Sequence, residues 1–212
     1  MQNSQLMFDA LVGSDMPIKR EFKRIDMEDA DVWYCKSWIK SQQADRLLTY
    51  FIEHLQWQQV SIQMFGKSCK VPRLQAWYGD EGSDYAYSGL SMSPLPWESK
   101  LKELKKYCEL SCQTQFNSVL ANYYRDGSDS MGMHSDNEPE LGAQPVIASV
   151  SLGELRNFDF KHIKTKQKQR LLLEHGSLLI MRGDTQRYWH HGINKSKKLL
   201  GPRLNFTFRQ IK

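Results

Sequence analysis

The stretch MGMHSDNEPE, Met131 to Glu140, sets His134 two residues before Asp136. On an extended strand the side chains at i and i+2 point to one face, so an H-x-D pair offers an imidazole nitrogen and a carboxylate oxygen to a single cation. So short a pattern recurs by chance, and in isolation a polar loop with a surface histidine is its commoner meaning. A third ligand changes that, and RYWHHGIN, Arg187 to Asn194, supplies His190 and His191. Strand neighbours face opposite ways, so only one of the two can join the pair. Two histidines and one carboxylate leave three coordination positions open, the facial arrangement of non-haem Fe(II) oxygenases. Those positions admit a bidentate 2-oxo acid and O₂. A 2-oxo diacid then needs a cation for its far carboxylate, and Arg203, on the next strand after His191, is placed for that by spacing.

The last strand, PRLNFTFRQI, carries the sharpest alternation in the chain. Arg203, Asn205, Thr207 and Arg209 share one face, while Leu204, Phe206 and Phe208 share the other. The apolar face must pack on a core. The polar face has the ordinary meaning of solvent exposure, yet two arginines bracketing Asn and Thr also suit the wall of an anion pocket.

These residues need a scaffold, and 212 residues are enough for one well-buried domain. Six Trp, nine Tyr and nine Phe supply the bulk for its core. No apolar run is long enough to span a membrane, and the N-terminal segment lacks the pattern of a secretion signal, so an intracellular protein with no membrane partner is expected. The cysteines Cys35, Cys69, Cys108 and Cys112 form no C-x-x-C pair, and reduced thiols are expected. Cys108 and Cys112 continue the stripe Leu101, Leu104, Cys108, which reads as core. The net charge of +5 permits a polyanionic partner without demanding one. Basic residues bunch in KHIKTKQKQR, Lys161 to Arg170, and in NKSKK, Asn194 to Lys198.

Residues 1–25 show few periodic apolar positions and read as an N-terminal arm. From Ser41, taken as an N-cap, Ala44, Leu47, Leu48, Phe51, Ile52 and Leu55 recur at helical spacing. A second helix is predicted from Trp97 to Leu110. After Ser111 come short strands: FNSVLANYY, VIASVSLG, RNFDFKHI, RLLLEHGSLLIM and PRLNFTFRQI. The pattern predicts an α+β protein whose β part is a sandwich or barrel. Residues 26–110 are taken as helices and a nucleotide-recognition lid, and 111–212 as the β core.

From about Val60 to Ile211 the chain resembles the AlkB family of 2-oxoglutarate and Fe(II)-dependent nucleic-acid dealkylases. The resemblance rests on QMFGK, VPR, YGD, YSGL, SPLPW, IASVSLG, HGSLL, H-x-D and the closing R-x-N-x-T-F-R. The hairpin and loop segments look most like its duplex-repairing branch. The resemblance implies a double-stranded β-helix, or jelly roll, with flanking helices and a substrate-binding β-hairpin lid. It implies Fe(II) on His134, Asp136 and His191, the last preferred to His190 because the family's ligand directly precedes a small residue, here Gly192. Asn122 and Tyr124 match the family's N-x-Y, which contacts 2-oxoglutarate, and Arg203, Asn205 and Arg209 match the rest of that pocket. Glu138 falls where the family has an acidic residue near the target base. Tyr87 and the His134 ring resemble the pair that sandwiches that base, and Tyr78 the tyrosine that lines its pocket. Phe65, Gly66 and Arg73 join them as substrate-binding residues. One departure is Ser135, between the metal His and Asp, where family members tend to carry Arg or Gln.

The implied activity is oxidative dealkylation of bases such as 1-methyladenine and 3-methylcytosine, with 2-oxoglutarate and O₂ converted to succinate and CO₂ and the alkyl carbon released as formaldehyde. Double-stranded DNA is the expected partner, with single-stranded DNA as a further substrate and RNA left open by the sequence, and the chain is expected to act as a monomer. Two rivals stand beside this: an oxygenase of the same chemistry acting on RNA, protein or a small molecule, and a metal-dependent nucleic-acid-binding module without turnover. Formaldehyde or succinate release separates the last from the others.

The segment WQQVSIQMF bears on substrate form. Val60, Ile62 and Met64 are apolar and Ser61 and Gln63 polar, so a regular strand puts Phe65 on the outward side, unless the turn at Gly66 folds it under the hairpin. An outward Phe65 can act as a wedge that fills the gap left by a flipped base, offsetting an unstacking cost of a few kcal/mol. A single strand has no intact stack to fill. Phe65→Ala should therefore lower activity on methylated duplex DNA by about tenfold or more, at roughly 1.4 kcal/mol per decade, and single-strand activity much less. Equal losses on both, measured side by side, would rule the wedge out.

Overall fold

The computed structural model describes residues 20–64, 67–83, 85–87 and 90–212; for 62–64, 67, 85–87 and 90–92 it describes the backbone path. In chain order the first half holds β1 (Lys23–Ile25), β2 (Asp31–Cys35), α1 (Ser41–His54), β3 (Ser61–Met64), β4 (Lys67–Lys70), β5 (Leu74–Gly79), β6 (Tyr85–Tyr87), β7 (Leu90–Met92) and α2 (Ser99–Cys112). The second half holds β8 (Ser118–Tyr124), β9 (Met131–His134), β10 (Ile147–Gly153), β11 (Arg156–His162), β12 (Lys168–Leu173), β13 (Ser177–Arg182), the short α3 (Thr185–Tyr188), β14 (Trp189–Ile193) and β15 (Arg203–Arg209).

Eleven of these strands form two antiparallel sheets. The major sheet runs β1-β2-β13-β10-β15-β8-β5 and the minor sheet β12-β11-β14-β9, while β3-β4 and β6-β7 are separate hairpins. This is the jelly-roll arrangement expected of the β core. Its two layers close over an apolar filling that includes Tyr124, Ile147, Phe158, Phe160, Met181 and Trp189. On its other side the major sheet is covered by the helices. The stripe along α1 brings Phe51 onto Phe206 with ring centroids 4.8 Å apart, and α2 contributes Leu101, Leu104, Cys108 and Cys112 to the same core. Burial pushes the Cys112 thiol up to about 12 and raises Cys108 as well, so both sit in the core as protonated thiols.

Several boundaries differ from expectation, each for a local reason. The first helix begins at Ser41 itself, with Lys40 as the flanking residue and no side-chain cap. The second starts at Ser99, because the Glu98 carboxylate accepts from the Leu101 amide at 2.9 Å and takes over the capping role. Residues 23–25, assigned to the arm, form β1 and pair with β2. The division at residue 110 does not separate lid from core either, since β1, β2 and β5 belong to the major sheet. RLLLEHGSLLIM, read as one strand, is two strands in different sheets, β12 and β13. The chain turns between them at Gly176, whose φ of +72° and whose Cβ position 2.6 Å from the Ile39 carbonyl oxygen demand glycine. Apolar residues continue on both sides of that corner and hide it from a periodicity reading. No helix among the described residues is long and apolar enough to cross a membrane.

Candidate active site

The cavity between the sheets begins at the pairing of β9 with β14, which puts His134 directly opposite His191. Their rings meet edge on, with centroids 4.4 Å apart. Asp136, just past the end of β9, closes the triangle: its two oxygens lie 3.6 Å from His134 Nε2 and 3.9 Å from His191 Nε2. One donor atom from each of the three residues lies within 4.8 Å of the others, a set able to hold a metal ion. His190 lies on the opposite side of β14, where it pairs with Lys161 and is partly exposed.

The surroundings tune each group for that role. The Gly132 carbonyl oxygen lies 2.9 Å from His134 Nδ1, which donates to it and leaves the Nε2 lone pair for the centre. The Asp136 amide donates to Gln186 Oε1 at 3.0 Å, fixing the turn after β9. Burial alone would raise the Asp136 carboxyl; the Arg209 guanidinium, helped by His191 and His134, outweighs it and holds the group down at about 2. Arg209 Nη2 donates to Asp136 Oδ1 at 2.9 Å. Burial lowers His191 to about 3, with the neighbouring His134 and Arg209 adding to the effect and Asp136 opposing it. The centre thus presents an ionised carboxylate and a neutral imidazole, the forms in which both ligate metals. Asp136 Oδ2 is buried without a hydrogen-bond partner, as suits an atom whose partner is a cation.

Behind the triad lies a polar wall buried in the core. All of β15 is buried, including Arg203, Asn205, Thr207 and Arg209. Its register sets Asn205 against Asn122 and Arg203 against Tyr124 on β8. On the other flank Thr207 faces Ser149 and Asn205 faces Ser151 on β10. Asn205 Nδ2 donates to Ser149 Oγ at 2.8 Å and Thr207 Oγ1 to Asn205 Oδ1 at 3.0 Å. Arg203 Nη2 donates to Ser151 Oγ at 2.9 Å, and the guanidinium carbon lies 5.1 Å from the centre of the Tyr124 ring. Its Nε and Nη1 are buried and donate to nothing among the described residues. Burial lowers Arg203 to about 10, which leaves it charged at neutral pH. A buried charged fork with two idle donors fits an incoming carboxylate.

The remaining predicted residues divide. Glu138 stands two residues after Asp136 at the head of a 3₁₀ turn, Pro139–Leu141, with Oε2 buried and unpartnered. Arg73 is buried beside Asn122 and donates to it. Tyr78 does not reach the cavity: it belongs to the core under the helices, and its hydroxyl accepts from the Gln56 amide. Strand parity explains this, since Gln75 and Trp77 on β5 share the face of their partners Asn122 and Leu120, and Tyr78 takes the other. Phe65 and Gly66 lie outside the described residues, as does the Tyr87 side chain. Gln186, Ser149 and Ser151 were missed. The two serines alternate with Ala148 and Val150 in IASVSLG, a period-two signal that could have revealed them. Gln186 has no local signal.

A jelly roll holding a His-Asp-His cluster against an arginine-bearing polar wall defines the class of 2-oxoglutarate oxygenases. The 2OG-Fe(II) oxygenase superfamily profile matches residues 31–209, and the chain belongs to that superfamily, in its AlkB branch. It is 43% identical over 175 residues to the DNA oxidative demethylase ALKBH2 of Mus musculus, covering 78% of this chain and 73% of that one. Against ALKBH2 of Homo sapiens the identity is 42% over 178 residues, covering 80% and 67%. Against the alpha-ketoglutarate-dependent dioxygenase alkB homolog 3 of Mus musculus it is 37% over 183 residues, covering 82% and 63%. The solved structure of OsALKBH1 shares the fold, with a TM-score of 0.66 at 17% identity over 90% of this chain and all of that one. The superfamily's cofactors are Fe(II), 2-oxoglutarate and O₂.

His191→Ala should abolish high-affinity Mn(II) or Fe(II) binding, while His190→Ala should keep most of it; metal analysis after desalting gives the answer, and the reverse order would mean that β14 is misread by one residue. A pH dependence follows as well. Both shifts are downward, so at low pH the unfolded chain holds more protons than the folded one and stability falls with pH. His191 acts from about pH 6.5 down to about 3, and Asp136 from about pH 4 down to about 2. Urea unfolding of the metal-free protein should show this, and His191→Asn should flatten the upper part of the profile alone.

Proposed function

We propose that this chain is a DNA repair enzyme that oxidatively removes small alkyl groups from the ring nitrogens of damaged bases. The observation that carries the reading is the junction of the His-Asp-His cluster with the buried arginine wall, in a chain 43% identical to a DNA oxidative demethylase. His134, Asp136 and His191 would hold Fe(II), which with 2-oxoglutarate and O₂ supplies the oxidising power, yielding succinate and CO₂. Arg203 takes the distal carboxylate of 2-oxoglutarate on its two idle donors. Tyr124 packs against the Arg203 fork, while Asn122, Asn205 and Arg209 complete the polar pocket. The oxidised alkyl carbon leaves as formaldehyde.

Substrate binding draws on what surrounds this pocket. A base methylated at its pairing nitrogen is cationic and pairs poorly, so it leaves the stack at lower cost. The half-buried Glu138, with one oxygen unpartnered, faces such a base with opposite charge. Exposed Lys161, Lys164, Lys166 and Lys168, with Lys195, Lys197 and Lys198, supply cations for phosphates. We take duplex DNA as the preferred substrate, single strands and RNA as lesser ones, and the monomer as the working form.

The test is mass spectrometry of 1-methyladenine and 3-methylcytosine oligonucleotides, single and double stranded, after incubation with Fe(II), ascorbate and 2-oxoglutarate. Loss of 14 mass units per lesion, on the order expected for one CH₂, together with formaldehyde, is the expected result. Succinate formation without any change in either oligonucleotide would overturn the substrate assignment. Arg203→Ala should raise the KM for 2-oxoglutarate at least about tenfold, the loss of a charge-assisted contact of about 1.5 to 3 kcal/mol, and Arg203→Lys should recover only part. An unchanged KM in the alanine variant would remove Arg203 from the pocket.

A further inference from the structure

Arg73 is 3% exposed, and among the described residues no carboxylate pairs with it. Its Nε donates to Asn122 Oδ1 at 2.7 Å and its Nη1 to the Ser130 carbonyl at 3.2 Å. Gln75, on the neighbouring strand β5, donates to the same Asn122 oxygen at 3.2 Å. A guanidinium carries donors only, so the carboxamide atom that faces it must be oxygen. The other branch of the Asn122 amide is therefore its NH₂, and Asn122 lines the cavity together with Tyr124 and Asn205.

We propose that Arg73 is a positioning residue for the co-substrate: it locks the Asn122 amide in the orientation that offers a donor, rather than an acceptor, to a carboxylate of 2-oxoglutarate. This rests on the reading of the cavity as the co-substrate pocket. The lock is needed because the amide is nearly symmetric in shape. Without Arg73 it can turn over at little steric cost, with the Gln75 amide turning in step, and would then present an oxygen to an anion. The buried positive charge of Arg73 works in the same direction, favouring a dianion in the cavity beside it.

The position of Arg73 in the chain gives the lock a second connection. The hairpin β3-β4 leaves the body after Gln59 and returns at Val71, and Gln59 Nε2 donates to the carbonyls of both Val71 and Arg73. Gln58 and Gln75 exchange backbone hydrogen bonds of 2.8 and 2.9 Å at the same root. The residue that orients Asn122 thus also anchors the returning strand of the hairpin.

The test is calorimetric titration of 2-oxoglutarate into the 212-residue protein loaded with Mn(II) in place of Fe(II). Arg73→Met should weaken binding by about tenfold, Asn122→Ala by a similar factor, and the double variant no more than Asn122→Ala alone, because Arg73 acts through Asn122. Arg73→Lys, which keeps a donor and the charge, should stay within about threefold of the parent. The Mn(II) affinity and the thermal midpoint of Arg73→Met should stay at the parental values while its KM for 2-oxoglutarate rises in step with the calorimetric loss, which separates a pocket effect from general damage. Additive losses in the double variant, or parental binding by Arg73→Met, would overturn the proposal. Should Arg73→Met fail to fold, Asn122→Asp decides: it keeps the Arg73 pairing and its thermal midpoint, yet should bind 2-oxoglutarate at least about tenfold more weakly because it now faces the anion with a carboxylate. Parental binding by Asn122→Asp would overturn the orientation. Arg203→Ala serves as the control on the pocket itself, since unchanged titration there would sink the functional reading whatever the Arg73 variants do.

Discussion

An ionised carboxylate sits in the interior of this protein, and the surrounding structure is arranged to make that tolerable. Asp136 is 2% exposed, and removing its charge from water would cost several kcal/mol without compensation. Arg209 supplies that compensation from the far end of β15 by donating to Oδ1, the Asp136 amide is held by Gln186, and the His134 and His191 Nε2 atoms lie 3.6 Å from Oδ1 and 3.9 Å from Oδ2. A buried pair of this kind contributes little to stability by itself. Its value lies in geometry, because a carboxylate held between an arginine and two histidines has one place to put a cation.

The same accommodation extends along the cavity. Arg203, Asn205, Thr207, Asn122, Ser149 and Ser151 would each be a liability in a core; the β15 side chains bond to one another and to the β10 serines, while Asn122 accepts from Arg73 and Gln75. Antiparallel register makes this possible: directly opposed residues share a face, so one polar row on β15 meets polar rows on both neighbours. The reverse face of β15, Leu204, Phe206 and Phe208, packs under α1 and α2. One sheet therefore serves as the inner wall of the site and as the floor of the helical core.

Much of this could be read before any coordinates. The two faces of β15, the amphipathic α1, the core role of Cys108 and Cys112, and the convergence of His134 and Asp136 all follow from side-chain periodicity, a local property. Parity also restricted the third ligand to one of His190 and His191, although choosing between them drew on resemblance to a family. Properties that depend on distant parts of the chain were not legible. The corner at Gly176 sends two apolar runs into different sheets, and nothing in RLLLEHGSLLIM announces it. Gln186, on α3, meets the Asp136 amide from 50 residues further along the chain. Tyr78 shows the opposite hazard: carried over by motif, it falls one residue from the face that its role required. Arg73 was expected at the substrate and stands instead behind Asn122.

The continuous alternation of β15 also constrains how this chain can vary. A point substitution on the polar face changes one contact and leaves the strand in place. Insertion or deletion of a single residue within Arg203 to Arg209 would exchange the two faces, sending guanidinium groups into the aromatic core and phenyl rings into the cavity. Mutational drift can therefore retune the chemistry one side chain at a time, whereas a change of length in this strand would forfeit pocket and fold in the same event. The fold constrains the length of the strand as tightly as the pocket constrains its arginines.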